Sequence, residues 1–229
     1  MIDIALAILF ALVLTTALVS EAPHEYLGVL VFVVAGVHIV LNRRAIASLF
    51  KIRGRILRVI QLIVIFGLVA TLLGQVVSSL VLSKFAFAFL PVLPGASVAR
   101  QMHLLCSYWS FVFAFAHVGL QMRPLAFLFN FDREGREKRE HSAGTTWILR
   151  IVIAVVAVLG AVSFVQVGMA PYLLGQVKFA YADYGIPLAL SFVRYASIAV
   201  LVTVLFAGVR LLVGRLDAKR KVKKIKSEY

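Results

Sequence analysis

Apolar residues run along this chain in long unbroken stretches, so the first pattern to read is stretch length. Six stretches reach about 20 residues, enough for an α-helix rising about 1.5 Å per residue to cross about 30 Å of hydrocarbon. They fall at about 2–20, 24–42, 57–82, 101–122, 147–168 and 187–213. The first is followed by Ser20-Glu21-Ala22-Pro23 and has Asp3 as its only early charge. Lacking a basic leader, it is expected to be a retained helix rather than a cleaved signal peptide. The connections are too short for a second, soluble domain, so residues 1–229 are expected to form one all-α polytopic membrane bundle of six transmembrane helices.

Composition points to the same solvent. Of 229 residues, 62% are apolar or aromatic and 15% are charged, against about 45–50% and about 25% in soluble domains. The net charge of +14, from 24 Lys and Arg against 10 Asp and Glu, acquires meaning once it is placed. The 43–58 connection carries Arg43, Arg44, Lys51, Arg53, Arg55 and Arg58; the 123–150 segment carries Arg123, Arg133, Arg136, Lys138, Arg139 and Arg150; the tail from Arg210 carries eight more. In an alternating six-span layout these 20 of 24 cations share one face, leaving Lys84, Arg100, Lys178 and Arg194 toward the other. The positive-inside rule makes the crowded face cytoplasmic, with both termini on it. The tail cluster Lys219–Lys226 then reads as an anchor on anionic headgroups, and nucleic acid is not expected as a partner.

The sequence shows no Gly-rich phosphate loop, paired acidic metal site or nucleophile elbow. The lone Cys106 excludes an intramolecular disulfide and a thiolate metal cluster. The chemistry lies in histidines. His24, His38, His103 and His117 fall inside or at the mouth of apolar stretches, where ionisable groups are costly and usually functional. His24 to His38 is 14 residues, and so is His103 to His117. Fourteen steps of 100° end about 40° short of four turns, so each helix carries two rings on one face, about 21 Å apart. The second and fourth helices run the same way, which levels His24 with His103 near the outer surface and His38 with His117 near the inner one.

Each pair can supply two axial nitrogens to a haem iron, the six-coordinate arrangement of electron carriers. Tetrahedral zinc, which wants four clustered ligands, fits two separated levels poorly. A single membrane histidine reads equally well as a packing residue or a functional one; two equal spacings on parallel helices favour two haems, with proton-relay histidines as the alternative. His141, in a charged loop, reads as solvated. Arg43, Arg44 and Arg123 lie about one turn from the inner histidines as candidate propionate partners, with Lys84, Arg100 and Arg194 as outer candidates. Each is equally readable as a snorkelling anchor. Arg194 stands inside the last span and needs an anionic partner, Asp183 or a propionate. Tyr108 and Trp109 are candidates to pack on a porphyrin or line a quinone pocket, with interfacial packing the commoner role. Gly28, Gly36 and Gly74 either admit a macrocycle to the backbone or promote helix packing.

Two motifs carry a resemblance. Pro23-His24-Glu25-x-Leu27-Gly28 with His38-Ile39-Val40-Leu41-Asn42-Arg43-Arg44 is one. The other is Phe87-Ala88-Phe89-Leu90-Pro91, then Ala99-Arg100-Gln101-Met102-His103-Leu104-Leu105-x-Ser107-Tyr108-Trp109-x-Phe111 and His117-Val118-Gly119-Leu120. Over roughly residues 20–123 the chain resembles the flavinylation-associated cytochromes, a bacterial membrane family similar to the cytochrome b core. The resemblance implies a four-helix haem-binding core in the bacterial cytoplasmic membrane and two haem b groups, the outer held by His24 with His103 and the inner by His38 with His117. It also implies electron transfer from the quinone pool or a cytoplasmic donor to an extracytoplasmic FMN-bearing flavoprotein. Many relatives carry a further histidine where this chain has Gln121, and no flavin attachment motif is present. The expected function is therefore a dihaem b-type electron-transfer cytochrome. The alternatives are a ferric reductase using the outer haem and a non-redox anchor or transporter with proton-relay histidines.

Overall fold

A computed structural model describes residues 2–16, 20–51, 56–91, 93–121, 143–179 and 185–227. Seven helices occupy them: α1 (Ile2–Thr16), α2 (Glu21–Lys51), α3 (Ile56–Leu82), α4 (Ala96–Gln121), α5 (Ala143–Gln166), the short α6 (Met169–Leu173) and α7 (Leu188–Ser227). No strand occurs among the described residues. Helix is what apolar stretches of this length must form in lipid, because only a helix satisfies every backbone N–H and C=O within one segment. Five helices, α2, α3, α4, α5 and α7, are long and apolar enough to cross a membrane. The first expected span is described as the 15-residue α1, about 22 Å of helix. At 40 residues α7 reaches about 60 Å, about twice the hydrocarbon thickness, so its basic end continues as helix beyond the apolar run.

Cross-contacts fix alternating directions. The start of α2 meets the segment leaving α3 through Glu25, and near the start of α4 His103 meets Ser78 near the end of α3. At the opposite, basic end the Asp217 carboxylate of α7 accepts the Ile56 and Leu57 N–H groups that open α3, at 3.2 and 3.3 Å. There, too, the Arg210 guanidinium donates to the Leu120 carbonyl that closes α4. These bonds answer the unpaired groups every helix end leaves.

The centre of the bundle is α4, the most buried of the five. It is flanked by α3 and α7, with α5 behind α7; α1 rests on α7 and α4, and α2 packs along α1. Phe111, Ala116 and Leu120 of α4 are fully enclosed with Ile198 of α7 and Met169 of α6. Lipid is as apolar as leucine, so association here depends on close packing and interhelical hydrogen bonds. Both faces of α7 use the same device. A Cβ on Gly119 of α4 would collide with the Thr203 carbonyl, and one on Gly160 of α5 with the Ser197 carbonyl. Beside these contacts Thr203 donates to the Phe115 carbonyl at 3.4 Å, and the Ser197 and Ser163 hydroxyls lie within hydrogen-bond distance at 3.2 Å.

Replacing Gly119 by Ala is expected to force α4 and α7 apart, costing about 1–3 kcal/mol and lowering the thermal midpoint by about 2 °C or more. Gly208→Ala, whose added Cβ would meet nothing within 4 Å, is the control and should leave the midpoint unchanged. Equal responses in a melt of the detergent-solubilised chain would refute the close-packing account.

Candidate functional site

The site begins one residue after a histidine. Where α3 ends, the backbone turns and exposes N–H groups that no helix bond satisfies. The Glu25 carboxylate collects them: Oε1 accepts Lys84 N–H at 2.9 Å, and Oε2 accepts Phe85 N–H at 2.9 Å, Ala86 N–H at 2.8 Å and the Ser83 hydroxyl at 2.7 Å. One turn earlier on α2, Glu21 pairs with the Lys84 ammonium at 2.8 Å. These links fix the height and rotation of α2, and with them the direction of His24.

The His24 ring is held from a second helix. Its Nδ1 lies 3.0 Å from the Val13 carbonyl in the last turn of α1. A carbonyl only accepts, so Nδ1 carries the proton and Nε2 keeps its lone pair. Across the gap, His103 Nδ1 lies 3.1 Å from the Ser78 hydroxyl. That hydroxyl has one proton and directs it at the Gly74 and Gln75 carbonyls, at 2.8 and 3.0 Å. Its oxygen therefore accepts from His103 Nδ1–H, and Nε2 of this ring also keeps its lone pair. Ser79 adds a longer approach of 3.5 Å. Gln75 donates to Ser107, which donates to the His103 carbonyl at 2.7 Å, stiffening the same seam.

The two rings stand 6.1 Å apart between centroids, with planes 76° apart. Imidazoles bound to one metal at about 2.0–2.1 Å per metal–nitrogen bond have ring centres about 6 Å apart. His24 and His103, which register sets at one level, are neighbours in the structure. Among the described residues no three His, Cys, Asp or Glu side chains gather around a point that could hold a bare ion. The donor set is two imidazoles, which suits a metal whose other ligands arrive with it, as the four pyrrole nitrogens of a haem do.

His38 and His117 lie fourteen residues further along the same two helices, both half-buried and about 21 Å from the first pair. The Asn42 amide donates to the His38 carbonyl at 2.9 Å and lies 3.4 Å from His38 Nδ1. Between the levels the two helices carry matched stripes. At offsets 0, 4, 7, 11, 14 and 18, all within about 40° of one line, α4 has His103, Ser107, Ser110, Ala114, His117 and Gln121. At the same offsets α2 has His24, Gly28, Val31, Ala35, His38 and Asn42. A Cβ on Gly28 or Gly36 would meet nothing within 4 Å, whereas Gly74 is filled by the Cys106 thiol and serves the packing of α3 on α4.

The other expected site residues are placed differently. Tyr108 and Trp109 sit about 140° and 120° around α4 from His103 and are engaged against α6 and α7. The Tyr108 hydroxyl is 3.1 Å from that of Tyr195, and its ring stacks on Tyr172 at 4.2 Å. The Trp109 indole donates to the Leu173 carbonyl at 2.9 Å. Arg43 and Arg44 are exposed at the basic end, Lys84 is paired with Glu21, Arg100 lies over the Phe179 ring, and Arg194 is half-buried on α7. Arg123, His141 and Asp183 lie outside the described residues.

Sequence reading missed Glu25, Ser78 and the stripes. The stripes had a signal, polar and small residues at helical period on two histidine-bearing helices; the role of Glu25 had none, because its partners lie about 60 residues away and are mostly backbone. Comparisons of the chain with protein-family models, curated proteins and solved structures gave no match.

Glu25→Ala should release the segment after α3, lowering stability by about 2 kcal/mol or more, since hydrogen bonds to a charged acceptor are worth about 1.5–3 kcal/mol each. Tryptic cleavage after Lys84 should accelerate in this variant. Cleavage at the wild-type rate would show that the carboxylate does not hold this segment.

Proposed function

We propose that this chain is a b-type membrane cytochrome that carries electrons across a bacterial cytoplasmic membrane, as its resemblance to the flavinylation-associated cytochromes implies. The carrying observation is the Glu25-end pair: two imidazoles 6.1 Å apart, each with its Nδ1 engaged and its Nε2 lone pair left for a metal. In this reading the six stretches are six spans, with the histidine-bearing α2 and α4 in a four-helix haem-binding core. Both termini lie with the basic end in the cytoplasm, and the Glu25 end faces out.

His24 with His103 holds the outer haem b and His38 with His117 the inner one. When bound, haem supplies an iron that accepts and donates single electrons. The chain's own part is positional. The Val13 carbonyl and Ser78 hydroxyl fix ring tautomer and tilt, which for metal-bound histidines also sets ligand basicity. Glu25 sets the distance between the two ligand helices. Donors would be the quinone pool or a cytoplasmic reductant, and the acceptor an extracytoplasmic flavoprotein. A second reading, a proton relay, draws on the seam of Gln75, Ser107, Ser78 and His103, and it predicts a colourless protein.

The test is a reduced-minus-oxidised spectrum with pyridine haemochrome quantification on protein expressed with ample haem. About two haems per chain are expected from bis-histidine ligation at two levels. His24→Ala and His103→Ala should lose the same haem, and His38→Ala and His117→Ala the other; absence of haem from the wild-type chain sinks the proposal. Ser78→Ala should weaken retention of the outer haem alone, by on the order of tenfold, as loss of a hydrogen bond behind a metal-bound histidine does. Equal weakening at both levels would point to a general packing defect.

A further inference from the structure

At the Glu25 end, on the flank of α4 turned from His103, a cleft of about 210 Å³ opens between the first turns of α4 and the connection from α6 to α7. Its walls are Ser97, Val98, Arg100 and Gln101 of α4 with Lys178 and Phe179 of the connection. Two of these are cations, and among the described residues no acidic side chain lines the cleft. The acids described nearest this end, Glu21 and Glu25, are committed to Lys84 and to the segment after α3.

The walls are organised in advance. The Arg100 guanidinium lies over the Phe179 ring, 5.0 Å from its centroid, so one face of the planar fork is packed and its N–H edge stays available. Gln101 donates to the Gly175 carbonyl at 3.0 Å, tying α4 to the turn that leads to Lys178. That turn requires glycine, because Gly175 has φ +67°. Holding these side chains before a ligand arrives lowers the ordering cost of binding. The opening turn of α4 adds the positive end of its dipole. The cleft lies where the apolar span of α4 begins, and Val98 and Phe179, both largely exposed, give it an apolar rim.

Cations within an apolar rim at the depth where spans begin match a phosphate carried at a membrane surface. We propose that this cleft binds a phosphate group, either a lipid headgroup or free phosphate, through the Arg100 fork and the Lys178 ammonium, with Ser97 and Gln101 as neutral walls. The site stands whether or not the histidines hold haem.

The experiment uses the full chain in neutral detergent, titrated with short-chain phosphatidylglycerol by native mass spectrometry and with inorganic phosphate by calorimetry. Saturable uptake of one equivalent of either probe is expected, weakened about tenfold or more in the Arg100→Gln/Lys178→Gln variant, which loses charge-assisted bonds but little volume. Lys84→Gln removes a cation at the same end outside the cleft and should bind as wild type. Ser97→Asp keeps both cations but adds a like charge to the ligand; it should also weaken binding, and it decides the matter if the double variant fails to fold. Binding of the lipid alone identifies a headgroup site, and binding of both probes a site for free phosphate; either supports the assignment. No saturable binding of either probe, or binding indifferent to Arg100, Lys178 and Ser97, overturns it.

Discussion

Glu25 accepts four hydrogen bonds from the segment that leaves α3, three of them from backbone N–H groups. Past the end of α3 those groups need a partner outside the helix, because backbone donors are obligatory hydrogen-bonding groups. A carboxylate one helix away supplies it. The consequence reaches beyond the turn. The closest packing of α2 is along α1, and most of its half toward the basic end is exposed, so the core does not fix its rotation. Glu25, the Glu21–Lys84 pair and the His24–Val13 bond do. The 6.1 Å between His24 and His103 is therefore set by polar links at one end of α2, since apolar contact along its length does not set it.

The rest of the bundle is held differently. α7 lies between α4 and α5 with glycine-to-carbonyl contacts on both faces and a hydroxyl bond beside each. Asp217 and Arg210 then close the basic ends of α3 and α4. This half has little need of α2. The histidine pair thus lies on a seam between a closely packed unit, α3 to α7, and a lighter one, α1 with α2. A seam is where a large planar group can be admitted without opening a packed core, and the open space beside Gly28, which shares the His24 stripe, is on that side.

Much of the helix layout was legible because lipid allows the backbone few alternatives. The stretches read as 57–82 and 147–168 appear as Ile56–Leu82 and Ala143–Gln166. The ends were less legible: α2 runs to Lys51 and α7 to Ser227, since leaving hydrocarbon removes the need for apolar side chains without stopping the helix. The five-residue α6 was invisible, too short to show a period. The register of His24 on His103 followed from helix arithmetic. The same arithmetic could have turned Tyr108 and Trp109 away from the histidine face, where the structure packs them on α6 and α7. Glu25 was quoted as part of a motif but could not be given a role, because its partners are backbone groups that have no residue signature.

The apolar content of α4 also has an explanation. Its apolar run is the weakest of the five and it is the most buried, the inversion expected when polar groups in a membrane face the protein interior. Beyond its first two turns, a polar stripe runs through His103, Ser107, Ser110, His117 and Gln121. Most of it is bonded, but the Ser110 hydroxyl, fully buried and seven residues from each histidine, has no hydrogen-bond partner among the described residues. Other buried hydroxyls, those of Thr15, Ser78 and Ser197, are satisfied by carbonyls of their own helices. A helix core filled for packing alone would place alanine at position 110, since an unpaired buried hydroxyl costs about 1–3 kcal/mol. The polar line between the two histidine levels thus continues past the point where packing requires it, which ties Ser110 to the same stripe as the ligand candidates.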